Sequence, residues 1–210
     1  MDQSLKQQQV DKLRAELDRL ERELEVESTP VDWPPKGYYL TYHVLSGAVL
    51  GLFGASVSLL ANVVGALLVT PPAPLQADPL NLIRVYLTFP LGEAALTTDA
   101  GVTLAIGCCL YLLTGMLLGI PFQIVQSLMS ENSSLASRFG ISTVLAAGIW
   151  VINFYGILSW LQPLLFGGDW IVRMIPWWVG LLTHLVFGWT MALVYPLGAF
   201  VPYRRSGEVG

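Results

Sequence analysis

Four apolar stretches, 39–69, 101–128, 139–163 and 175–200, decide what this chain can fold into. Each exceeds the roughly 20 residues that a helix needs to cross about 30 Å of hydrocarbon. No water satisfies the backbone inside lipid, so a segment that crosses must be helical. The sequence therefore reads as an all-α polytopic membrane protein with four transmembrane helices in a bundle. The first stretch is long enough to tilt or to project beyond the bilayer.

The distribution of charge agrees with this. The 210 residues are 54 % hydrophobic and 12 % charged, with a mean hydropathy of +0.59. Six Lys or Arg and nine Asp or Glu fall within the first 36 residues, leaving only eleven charged side chains for the other 174. That split separates a solvated arm, 1–29, from an embedded body, 39–200, with a linker at 30–38 and a polar tail at 201–210. A net charge of −4 provides no basic stripe, which argues against nucleic acid as a partner.

The arm holds strong helix formers with neither Gly nor Pro before Pro30. Val10, Leu13, Leu17, Leu20 and Leu24 recur at alternating intervals of three and four, a coiled-coil-like seam. A parallel homodimer would set Glu16 against Glu21 of its mate, so like charges weaken self-pairing. The stripe is read as a docking surface for a protein partner, with self-association or a solvated amphipathic helix as the alternatives. The linker, with three prolines, then delivers Trp33, Tyr38 and Tyr39 to headgroup level.

Orientation follows from the cations. With the N-terminus inside, the inner flanks hold the six cations of the first 36 residues together with Arg138, Arg204 and Arg205, while the outer loops hold only Arg84 and Arg173. Both termini are expected in the cytoplasm, in a multi-pass protein of the cytoplasmic (inner) membrane. The polar N-terminus does not resemble a cleaved signal peptide, so the first span would act as an uncleaved signal. In the first outer loop Leu80, Ile83, Leu87 and Leu91 share one helical face interrupted by Pro90, which predicts an interfacial helix on the outer leaflet. Pro121 and Pro196 predict a kink or an early helix end, and Pro176 belongs in a first turn.

The catalytic inventory is nearly empty. HExxH, GxSxG and a phosphate loop ending in Lys are all missing, and no carboxylate lies at mid-membrane. Cys108 and Cys109 are adjacent in an apolar run, which fits packing and offers neither a metal spacing nor a CxxC thiol pair. No metal site is expected. Asn62 and Asn153 stand inside spans and are expected to form interhelical hydrogen bonds.

Two histidines fall in membrane segments, where a polar side chain is a functional candidate. His184 sits between Gly180 and Gly188 on one helical face. Such a face suits close helix packing, as do the pairs Gly47 with Gly51 and Gly115 with Gly119. It also suits a flat cofactor, which makes His184 a candidate ligand or contact for haem b or a quinone. His43 cannot share one haem with it, because the two lie at depths that differ by roughly 18 Å at 1.5 Å per residue.

The leading expectation is a non-catalytic integral membrane subunit or scaffold of a larger assembly, binding the bilayer and a protein partner. It would dock through the N-terminal helix and the glycine-lined faces, without a required cofactor. An electron-transfer subunit contacting haem or quinone at His184 is the alternative, and a small oligomeric transporter the third.

Overall fold

A computed structural model describes residues 10–21, 36–68, 79–129 and 133–200, and it is helical throughout, with no strand among the described residues. The chain divides into two compact units, Met1–Tyr39 and Leu40–Gly210. In the first, residues 10–21 form a helix, α1, on which Val10, Leu13, Leu17 and Leu20 are all exposed. Leu24 lies outside the described residues.

The second unit is built on four helices long and apolar enough to cross a membrane. These are α2 (Lys36–Leu68), which lies in this unit from Leu40 onward, α4 (Gly101–Ser127), a continuous third rod, and α8 (Trp177–Val194) with a 3-10 turn at Tyr195–Gly198. The third rod comprises α5 (Leu135–Val151), a π-helical stretch (Ile152–Leu158) and α6 (Ser159–Phe166). It begins four residues before the expected 139, because Ser134 caps it by accepting the Ser137 N–H at 3.2 Å. Gly167 ends it at φ 81°, a left-handed conformation that glycine adopts without penalty.

The prolines behave differently from one another. Pro121 is carried inside α4, which continues to Ser127 instead of ending early. Pro176 takes the N-cap position of α8. Pro196 falls in the 3-10 turn that follows α8, where the α-helix has already stopped.

Helices α2 and α4 meet backbone to backbone. A Cβ on Gly51 would stand 2.3 Å from the Gly115 carbonyl oxygen, and one on Gly119 would stand 2.3 Å from the Gly47 carbonyl oxygen. Only glycine at these four positions allows that approach. On the other side, α8 packs on α5 at Gly188, where a Cβ would lie 3.0 Å from both the Ala146 Cβ and the Ser142 carbonyl oxygen. The main core therefore joins Leu50 and Ala55 of α2, Phe122 of α4, Ala146 of α5, and Phe187 and Met191 of α8.

The loop helix buries more than its single stripe suggests. This helix, α3 (Asn81–Leu91), is covered on two sides. Ile83 and Leu87 press onto α4, where a Cβ on Gly107 would come within 2.7 Å of either side chain. Val85 packs with Phe154 and with Ile171 of α7 (Trp170–Met174). The apolar face therefore runs wider than the i, i+3, i+4 stripe suggested, and α3 is built into one end of the bundle. Pro90 stands inside its last turn.

Candidate functional site

Between α4 and the third rod the helices part, leaving a cavity of about 650 Å³. Helix α3 closes one end with Leu82, Tyr86, Phe89 and Pro90, while α8 supplies Gly180, Thr183, His184 and Phe187. The wall is overwhelmingly apolar, and among the described residues no Asp, Glu, Lys or Arg borders the space. Such a site fits the general form of small-molecule pockets, which are mostly apolar with a few convergent polar groups.

The strip that carries His184 has a different neighbour at each level. At Gly188 it admits helix α5. At Gly180 it admits rings, since a Cβ there would come within 2.8 Å of Phe154 and 3.0 Å of the Trp150 indole nitrogen. Between the two, His184 borders the cavity, edge-on to Phe154 with ring centroids 6.1 Å apart.

Seven polar side chains line the space: Ser58, Tyr86, Tyr111, Thr114, Asn153, Thr183 and His184. Most are committed to one another. Ser58 donates to the Thr183 carbonyl at 3.0 Å, so its single hydrogen is used and the Tyr111 hydroxyl donates to it at 3.1 Å. Thr183 Oγ1 lies 3.1 Å from Asn62 Oδ1 and 2.8 Å from the Val179 carbonyl, and Asn62 Nδ2 donates to the Ser58 carbonyl at 2.8 Å. These contacts tie α2, α4 and α8 together. Tyr86 is paired with Thr114.

Two groups remain. His184 Nδ1 lies 2.8 Å from the Gly180 carbonyl, which can only accept, so Nδ1 carries the proton and Nε2 of the neutral ring is an acceptor. Asn153 was expected to bridge helices, but among the described residues its amide has no hydrogen-bond partner, and it borders the cavity instead. It sits in the π-helical stretch, whose wider turn alters the register of side chains that an unbroken α-helix would present.

The end of the bundle at α3 is held by a residue the sequence reading passed over. Gln162, fully buried, donates from Nε2 to Thr88 Oγ1 at 2.8 Å and accepts the Ile171 N–H on Oε1 at 3.1 Å. One amide thus clips α3, α6 and α7 over the cavity. Replacing it with leucine is expected to cost about 1–3 kcal/mol, because a buried backbone donor loses its partner. Faster hydrogen exchange at the Ile171 amide would report the loosened clip.

At the opposite end Gln123 and Gln126 are also fully buried, and Arg138 is nearly so. Gln126 bonds Ser142 Oγ at 2.7 Å and receives Arg138 Nη1 on its Oε1 at 3.1 Å, and the guanidinium lies 4.4 Å from the Tyr195 ring centroid. His43 does not border the cavity, and its buried Nδ1 has no hydrogen-bond partner among the described residues. Cys108 and Cys109 are free thiols. Among the described residues no three His, Cys, Asp or Glu cluster as a metal site would require.

Fold and cavity together define a four-helix membrane-type domain with a side pocket. No protein-family model, curated protein or solved structure matches this chain.

Proposed function

We propose that this chain is a non-catalytic subunit of a membrane assembly that contacts a quinone-type lipophile at His184. What carries the reading is the pair of uncommitted polar groups, His184 Nε2 and the Asn153 amide, on an otherwise satisfied apolar cavity. Haem b is less well served by the same surroundings. Its propionates are anionic, and among the described residues the cavity wall offers no cation to receive them. Among the described residues the wall also offers no second histidine, methionine or cysteine as an axial ligand.

The test is a titration of the protein, purified in lipid nanodiscs, with a short-chain quinone. Seven tryptophans, among them Trp150 near the cavity, provide the fluorescence to be quenched. Saturable quenching that disappears when Ile149→Trp fills the cavity is expected. Failure of every neutral lipophile to bind would overturn the reading, and a Soret band lost in His184→Ala would replace it with haem.

In this reading both termini face the cytoplasm and the cavity lies in the outer half of the inner membrane. A reporter fused after Gly210 is expected to be active only in the cytoplasm. A second role, docking of a protein partner through α1, is favoured by the exposure of Val10, Leu13, Leu17 and Leu20. Deleting residues 2–28 is then expected to strip a copurifying protein from the gently solubilised complex.

A further inference from the structure

We propose that the natural occupant of the cavity is a neutral lipophile with a hydroxyl head group, taken sideways from the bilayer between α4 and the π-helical stretch. This rests on the reading of the cavity as a lipophile site and narrows its chemistry.

Neutrality follows from the wall. Among the described residues no charged side chain borders the space, so a carboxylate or phosphate drawn into it would be buried without a counter-ion from them. Lipids with ionised heads are therefore rejected.

The hydroxyl follows from the tautomer. The Nδ1–H of His184 is spent on the Gly180 carbonyl, which leaves Nε2 able only to accept. A carbonyl-only ligand cannot satisfy an acceptor, whereas an O–H can. Asn153 borders the same cavity, and the proposal assigns its amide N–H to the same oxygen. One hydroxyl, donating to the imidazole and accepting from the amide, uses both free groups. A quinol engages both groups, whereas its oxidised quinone can engage only the Asn153 amide and is bound more weakly.

The route follows from residues that belong to two surfaces. Leu113 and Leu117 of α4 and Ile157 of the π-helical stretch border the cavity, yet are 52 %, 69 % and 38 % exposed. They stand at its mouth, on the side that an embedded bundle turns to lipid. A ligand dissolved in hydrocarbon reaches the site without crossing water.

Farnesol and farnesyl methyl ether differ by one O–H and separate the alternatives. Titrated into nanodiscs holding the full chain, farnesol is expected to bind about tenfold more tightly than the ether, the discrimination of one buried hydrogen bond. His184→Phe and Asn153→Leu should each erase most of that preference while leaving the ether bound. Where a variant does not fold, the wild-type comparison of the two ligands decides alone. Equal binding of alcohol and ether overturns the hydroxyl assignment and leaves the lipophile site standing. Palmitate binding as tightly as farnesol overturns neutrality. Absence of binding by both farnesyl compounds while the short-chain quinone still quenches overturns the hydroxyl assignment alone, and absence of binding by all three removes the site and the proposed function with it.

Discussion

Alanine at Gly51 is expected to destabilise the bundle, whereas alanine at Gly65, on the same helix, is not. A Cβ at Gly51 would stand 2.3 Å from the Gly115 carbonyl oxygen and 2.9 Å from the Gly119 Cα, both backbone atoms that no rotamer change can move. Helices α2 and α4 must separate, at about 1–3 kcal/mol for one methyl and more for a larger side chain. Nothing lies within 4 Å of the equivalent position on Gly65. There the methyl costs no packing, and the gain in helix propensity, up to about 1 kcal/mol, is retained. Thermal unfolding in one detergent should therefore move in opposite directions for the two variants. Equal loss at both positions would mean that α2 and α4 do not meet at this face. The result bears on the site as well, because Ala55 and Ser58 of α2 and Gly115 of α4 line the cavity.

The four long helices were legible in the sequence because twenty apolar residues in succession have few other uses, and their ends came out within a few residues. Position inside the bundle was less legible. Helix α3 carries one apolar stripe, as a surface helix does, yet buries Val85 and Thr88 outside that stripe. What encloses it, α7 and the Gln162 clip, comes from residues 74 or more positions away. The buried glutamines were missed for a related reason. Asn62 and Asn153 stood out in mid-span, whereas Gln123, Gln126 and Gln162 lie near helix ends, where an amide ordinarily meets water. The spacing of Gln123 and Gln126, three apart on one face beside a lone Arg138, was the available signal. The glycine at either side of His184 was visible, but the cavity was not. A void is defined by side chains that fail to meet, and here it opens between α4 and the third rod beside a π-helical stretch that no simple periodicity announces.

Leucine at Gln126 should weaken the bundle at the end opposite α3. The amide sits on α4 and reaches α5 through three contacts: Nε2 to Ser142 Oγ at 2.7 Å, Nε2 to the Arg138 carbonyl at 3.2 Å, and Arg138 Nη1 to Oε1 at 3.1 Å. Loss of the bond from a buried guanidinium alone is worth about 1.5–3 kcal/mol, and Ser142 is stranded besides. For a domain of this size that corresponds to a fall in melting temperature of roughly 3–12 °C. The partners are coupled, which gives a stricter test. Arg138→Leu removes a cation that also lies over the Tyr195 ring, so it is costly on its own. The double variant should nevertheless lose less than the two single losses combined, by about 0.5–3 kcal/mol, since the bond between them is removed only once. Additive losses would mean that Arg138 draws its support elsewhere. The coupling matters for the cavity because α4 and the third rod stand apart at Leu113 and Ile157, and a clasp at their other end fixes how far apart they stand. Weakening Gln126 is therefore expected to loosen lipophile binding even though the residue lies outside the cavity wall.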